Sequence, residues 1–405
     1  CESCRNQIAD YIRAESDRFL SYYSYVCYMS EAFDARRYAV RTEDTFFMYG
    51  WVPLDSVESF IKNLEAQKNV RYTVVEPGAL GDHISVKLKN RWLFRAFEPF
   101  VEMYGLPSYN EFDPTPLMAV LYTLLFGIMF GDVGQGILVS VIGFLMYKLK
   151  KMWLGKVLVY AGIAGCCFGF FYGSVFGFEE LLPFGFHALE SSANTSLMLQ
   201  TAVYLGVLLI SLVIIVNVIN GIRQKQYEKA IFGQNGIAGL ILYWAVMLLV
   251  LPLLGFLDIS ISSPVFIICA FVLPLILVLL RDPLGKLVSG DPDWKPDNLL
   301  DFLLENIFEL VEVLLSYVTN TVSFLRVGIF ALSHAGMMTV VFLLAGEPRN
   351  PVVVILGNLV VMGIEGLLVG IQVLRLNFYE MFGRFFEADG RAYSPITINY
   401  KSANE

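Results

Sequence analysis

NTVSFLRVGIFALSHAGMMTVVFLLA (residues 320–345) and VVVILGNLVVMGIEGLLVGIQVLRLNFYEMF (residues 352–382) decide the reading of this chain. Each is long enough to cross a bilayer, which takes about 20 residues. Each also carries an arginine, Arg326 in the first and Arg375 in the second. A guanidinium does not lose its proton at ordinary pH, so it stays charged wherever it sits. At mid-membrane it costs roughly 2.5–3.5 kcal/mol on insertion scales. Two such costs on the last two apolar segments point to a site that handles charge. The competing reading is that the side chains snorkel to the headgroups. It suits Arg375, near the end of its run, better than Arg326, beyond which apolar residues continue.

Composition agrees with a membrane protein. Hydrophobic residues make up 56% and charged residues 16%, outside the usual range for a soluble domain. A formal net charge of −8 argues against nucleic acid as a partner. Cys1 and Cys4 form a CxxC that no second Cys or His pair answers, which argues against zinc. The triplets LGK at 154–156 and 284–286 lack the phosphate-binding GxxxxGK[ST] frame, and no HExxH or GxSxG is present. No catalytic site and no cofactor are expected in this chain. Any ATP chemistry belongs to another subunit.

Residues 1–113 differ from the rest. Residues 2–41 read as one long amphipathic helix, and 54–69 as a second, capped by Asp55 or Ser56. Residues 45–53, 70–78 and 82–90 read as strands. The expectation is part of a cytosolic α/β domain. The chain opens inside a polar helical pattern without an initiator Met, so the front of that domain is expected to be missing.

Residues 114–405 read as a membrane domain with eight apolar segments, near 114–129, 131–148, 157–177, 197–219, 236–257, 262–281, 312–344 and 351–383. The short FGDVG break predicts a tight hairpin between the first two, and the last two are long enough to tilt strongly. KLKKMWLGK (148–156) carries four lysines and no acid, and the loop 220–235 is also basic. The loop 178–196 has Glu179, Glu180 and Glu190 with no Lys or Arg. The positive-inside rule then puts the first two loops and both termini in the cytoplasm and the third outside.

This topology gives the buried acids a direction. Glu312 lies on the cytoplasmic side of Arg326, roughly 21 Å along an α-helix, in an i, i+4, i+7 stripe with Glu305 and Glu309. A solvated helix start explains such a stripe equally well. Glu365 lies on the external side of Arg375, in a setting that is costly unless it meets water, a cation, a proton path or a buried polar partner. His334 sits beyond Arg326 toward the outside, as a hydrogen-bonded core residue or a proton relay. Gln372 is one turn before Arg375. Asp132, in MFGDVGQG, is an ionisable site or the cap of the second helix. Acids that open to opposite sides of two arginines suit two ion half-paths that do not meet.

Five stretches, in this order, resemble a known family. GWVP (50–53) is similar to a cytosolic-domain motif, NEFDPTP (110–116) to an approach to the membrane, and MFGDVGQG (129–136) to a membrane hairpin. SFLRVGIFALSHA (323–335) and IEGLLVGIQVLRLNFYEMF (364–382) are similar to the two arginine helices. Over nearly its whole length the chain resembles the a subunit, also called subunit I, of V-type and A-type rotary ATPases. The lack of large insertions looks bacterial or archaeal.

The resemblance implies an eight-helix, multi-pass domain in a prokaryotic plasma membrane. That domain would hold two tilted helices against a rotor ring of proteolipid c/K subunits. A cytosolic arm would bind E/G-type peripheral stalks, in one complex with central-stalk and catalytic A/B subunits. Position by position, Arg326 matches the principal arginine and Arg375 the second. Glu312 matches a cytoplasmic half-channel acid, and Glu365 and His334 match polar residues of the outer half-channel. Gln372 stands where eukaryotic members carry His, which leaves proton and sodium both open. A stand-alone transporter of an anionic solute and a purely structural membrane anchor are the alternatives.

Overall fold

The computed structural model describes residues 2–43, 45–76, 84–178, 191–224, 226–256, 271–281, 283–285 and 299–395. These fall into two compact units, Cys1–Lys87 with Gly390–Glu405, and Leu88–Asp389.

In the first unit, α1 spans Glu2–Asp34, shorter than the helix expected to reach residue 41. Residues Ala35–Tyr38 tighten into a 3-10 turn, and β1 (Ala39–Arg41) then pairs antiparallel with β2 (Phe46–Met48). The pairing of Val40 with Phe47 claims the end of the expected helix for a hairpin. α2 (Leu54–Glu65) starts at the expected residue and ends four residues short of 69, with a different cap. Pro53 is its N-cap, its carbonyl accepts from Ser56 N at 2.9 Å, and Asp55 falls in the first turn instead of capping. No strand forms among residues 70–76. Val70, Tyr72, Val74 and Val75 are all exposed there, and alternation without a partner edge leaves the ladder hydrogen bonds unmade. Of the expected strand at 82–90, only β3 (Ser85–Val86) forms among the described residues, parallel to β4 (Arg391–Ala392).

The second unit is helical. A short α3 (Glu98–Tyr104) leads to α4 (Thr115–Phe130), α5 (Val133–Lys150), α6 (Trp153–Tyr172) and α7 (Ser192–Arg223). Then come α8 (Tyr227–Ile231), α9 (Ile237–Leu253), α10 (Leu273–Leu279), α11 (Leu299–Ser323), α12 (Leu325–Ala345) and α13 (Pro351–Arg375). A π-helical segment, Leu376–Phe382, and a last turn, Gly383–Phe385, continue α13. Five stretches among the described residues are long and apolar enough to cross a membrane: Val133–Lys150, Trp153–Tyr172, Ser192–Arg223, Leu300–Ala345 and Pro351–Phe385. Thr115–Phe130 and Ile237–Leu253 are apolar but shorter. Residues 262–270 of the expected segment at 262–281, and residues 179–190 of the acidic loop, lie outside the described residues.

The approach to the membrane is a polar clamp. Asp113 Oδ1 accepts from Thr115 N at 2.9 Å and from its hydroxyl at 2.6 Å, while Asp113 Oδ2 accepts from Asn90 at 2.8 Å. Glu111 accepts from Ser108 N at 2.9 Å and from Glu387 N at 3.0 Å. Burial pushes the Glu111 carboxyl above its usual range, against the pull of those two amides. NEFDPTP thus ties α3, α4 and the end of the second unit together.

α4 and α5 leave Gly131–Asp132 in opposite directions but scarcely touch, so the expected hairpin is splayed. α6 is the wedge, packed along both. Glycine permits the approach. A Cβ on Gly155 would stand 2.6 Å from the Gly143 carbonyl oxygen, and one on Gly162 2.6 Å from that of Gly136. Small residues at such contacts are how apolar helices pack where lipid is as oily as the side chains. Gly155→Val should therefore destabilise the purified chain by about 1–3 kcal/mol, the usual range for overpacking. The unfolding midpoint in detergent checks this, and an unchanged midpoint would contradict the wedge.

The segment expected at 312–344 is broken. α11 ends at Ser323, and Phe324 N and Val327 N bond three residues back, to Thr321 and Phe324 carbonyls at 3.1 and 2.9 Å. The sequence YVTNTVS explains the break. Thr319 and Thr321 hydroxyls donate to the carbonyls of Leu315 and Tyr317, both at 2.8 Å, a bond that bends helices. Arg326 follows this bend directly. α12 packs against α13, α7 and α4, and α13 also lies against α4.

Candidate ion-handling site

α12 and α13 run antiparallel, and their ionisable residues meet in two layers. One layer pairs Arg326 with Glu380, and the other pairs His334 with Glu365. Eight residues of α12 separate them, about 12 Å of helical rise. Between the layers Val327, Val369 and Val373 are each 0% exposed. Fully buried valines at that level separate the two polar groups with apolar packing.

The inner layer is built around Arg326, which is half-buried, with its Nη1 4.0 Å from Glu380 Oε1. Arg375 is exposed but lies within Coulombic reach of both Arg326 and Glu380. Gln372, one turn earlier, is half-buried with its Oε1 lacking a hydrogen-bond partner. The face around the arginines is otherwise apolar and open: Val322 and Ile329 flank Arg326, and Leu368, Ile371 and Tyr379 flank Arg375. An apolar face with fixed charges in it suits another membrane-embedded protein better than lipid alone.

Glu380 was not singled out from the sequence. In an α-helix a residue five positions after Arg375 points about 140° away from it. The π-helical segment changes this, because i→i+5 bonding brings residues five apart onto one face. Asn377 supports the altered register, its Nδ2 donating to the Val373 carbonyl at 2.8 Å. Arg384 was also missed. It is 8% exposed, donates from Nη1 to Asn235 Oδ1 at 3.3 Å, and lies over the Tyr317 ring.

The outer layer is a connected network. His334 Nδ1 and Glu365 Oε2 are hydrogen-bonded at 2.6 Å, and His334 Nε2 stands 3.7 Å from Asp132 Oδ2. Asp132 is the N-cap of α5, accepting from Gln135 N at 2.8 Å, but it does more. It also accepts from the Ser174 hydroxyl at 2.6 Å, Phe176 N at 3.0 Å and Gly177 N at 2.8 Å. Gln135 Nε2 then donates to Asn358 Oδ1 on α13 at 3.0 Å. Gly177 adopts φ +77°, and a Cβ there would meet the Met338 side chain. One carboxylate thus holds the loop after α6 against the His–Glu pair. Glu365 is 1% exposed, so it faces protein and not lipid, and it is closed to bulk water in this conformation. Of the settings that make such a carboxyl tolerable, the structure shows a buried polar partner, His334.

The acidic stripe on α11 is divided. Glu305 and Glu312 are exposed, whereas Glu309 is half-buried and bridged to Arg281 at 2.5 Å. Glu312 therefore stays apart from both layers on an accessible helix face.

A family model described as the V-type ATPase 116kDa subunit family matches residues 10–170. The A-type ATP synthase subunit I of Pyrococcus abyssi is 27% identical over 93% of this chain and 58% of its own length. That of Pyrococcus horikoshii is 28% identical with the same coverages, 93% and 58%. That of Saccharolobus solfataricus is 26% identical over 98% of this chain and 66% of its own length. The chain thus spans less than two thirds of the length of these relatives. Membrane-length helices with ionisable groups inside them agree with these comparisons, which make the chain similar to the V-type ATPase 116kDa subunit family over residues 10–170 and to A-type ATP synthase subunit I along nearly its whole length.

Proposed function

We propose that this chain is the non-catalytic membrane stator subunit of a V/A-type rotary ATPase, passing H+ or Na+ between two aqueous half-paths. The observation that carries the reading is the separation of two ionisable layers on α12 and α13 by buried valines, with the arginine layer opening onto an apolar face. A neighbouring ring would carry one carboxylate per rotor subunit, neutral in lipid when it holds its ion. Beside Arg326 the ionised form is favoured, so the ion leaves. His334, Glu365 and Asp132 serve the external half-path, and Glu312 serves the cytoplasmic one. A driving force of 100 mV is worth about 2.3 kcal/mol per charge moved. Rotation couples it to ATP made or hydrolysed on other subunits.

Within this reading both termini and the lysine-rich turn between α5 and α6 are cytoplasmic, eight segments span the plasma membrane, and residues 1–113 dock the peripheral stalk. The test is purification of the tagged chain from native membranes in mild detergent. A proteolipid ring and an ATP-hydrolysing head should come with it. A chain that purifies alone, and alone moves an anionic solute into liposomes, would contradict the reading.

A further inference from the structure

Arg326 already has a carboxylate partner within its own chain. Glu380 is 4% exposed, its Oε1 lies 4.0 Å from Arg326 Nη1, and its Oε2 has no hydrogen-bond partner. A buried carboxylate is costly unless paired, and here a departure from α-helical register brings it to the arginines. One turn further on, Arg384 is buried with Nε and Nη2 both unpartnered, within Coulombic reach of Glu380. Glu380 therefore has two guanidinium groups within Coulombic reach, Arg326 and Arg384. The contact to the half-exposed Arg326 is long for a salt bridge, and the buried Arg384 has donors to spare.

We infer that Glu380 is a built-in competitor for Arg326, holding the guanidinium when no ring carboxylate faces it and speeding the departure of each one that does. The inference rests on the stator reading above. When an ionised ring carboxylate arrives it takes Arg326, and Glu380 shifts its contact to the free nitrogens of Arg384. As the ring moves on, Glu380 returns to Arg326. The exchange conserves charge at each step: one carboxylate on Arg326 before, during and after. Without the competitor, Arg326 would hold the ring carboxylate until protonation or ion binding frees it.

The test compares assembled complexes carrying Glu380→Gln, Glu380→Asp and Arg326→Gln, with ATP hydrolysis and ion pumping measured together across pH. For Glu380→Gln both rates should fall together, about tenfold near neutral pH. The pH–rate profile should move toward acid by about one unit, since more protonation is needed to free the ring. Glu380→Asp should fall between it and the wild type. Wild-type rates and profile in Glu380→Gln would overturn the inference. So would undiminished hydrolysis with lost pumping, the pattern of a merely structural role. Where Glu380→Gln does not assemble, Glu380→Asp decides: an intermediate rate with an acid shift supports the inference, and an unchanged profile overturns it. Arg326→Gln separates the two levels. Normal pumping there sinks the stator reading itself, whereas a dead Arg326→Gln beside a wild-type Glu380→Gln sinks only the competitor.

Discussion

Replacing Arg326 by Gln should abolish ATP-driven ion transport by the assembled complex, while ATP hydrolysis by the detached catalytic head stays intact. The loss should be at least about 100-fold, because a fixed charge beside a buried carboxylate shifts its pKa by 1–3 units. Glutamine keeps much of the volume and some hydrogen bonding but supplies no charge. Lysine should rescue poorly, since it offers a point charge that can lose its proton where Arg326 offers a permanent planar fork. Arg375→Gln should cost less, because Arg375 is exposed and supports the site from the edge. Pumping in reconstituted vesicles measures all three. Near-normal pumping by an assembled Arg326→Gln complex would contradict the assignment.

Asp132→Ala should be the most destabilising single change in the outer layer. Four donors converge on this carboxylate: Gln135 N, the Ser174 hydroxyl, Phe176 N and Gly177 N. Asp132 is 0% exposed, so water cannot readily replace it. Each buried donor left unpaired costs about 1–3 kcal/mol, and the sum should exceed about 4 kcal/mol even with partial relaxation. Asp132→Asn retains one acceptor oxygen and should fall between. Denaturant unfolding of the purified chain in detergent tests the order. A loss below about 1 kcal/mol for alanine would mean that the loop after α6 does not depend on this side chain.

How much of this structure is legible in the sequence follows from the range over which sequence carries information. Arg326, His334 and Glu365 stood out because a charge or imidazole amid apolar residues is conspicuous, and helical spacing gave their order. Asp132 read equally as a cap or an ionisable site, and it turned out to cap α5 beside His334. Its other donors come from Ser174, Phe176 and Gly177, more than 40 residues away, where local spacing says nothing. Glu380 was missed because reasoning in α-helical period turns it away from Arg375, and only the π-helical segment turns it back. The α6 wedge had a signal that went unread. Gly136 and Gly143 on α5, and Gly155, Gly162 and Gly169 on α6, repeat at heptad spacing, the mark of two helices in close contact. The early end of α1 had none, since Ala35–Arg41 is charged enough to read as helix until a hairpin partner is known.

The central claim is that the arginine face rides against a rotor. Photo-crosslinking within the assembled complex tests it most directly, with benzoylphenylalanine placed singly at Ile329 or Ile371. Both side chains are exposed beside the arginines, at 54% and 52%. The same probe at Phe144, exposed on α5, is the comparison. The account predicts proteolipid adducts from Ile329 and Ile371 and none from Phe144. Lipid adducts alone from all three positions, in a complex that still pumps, would contradict it.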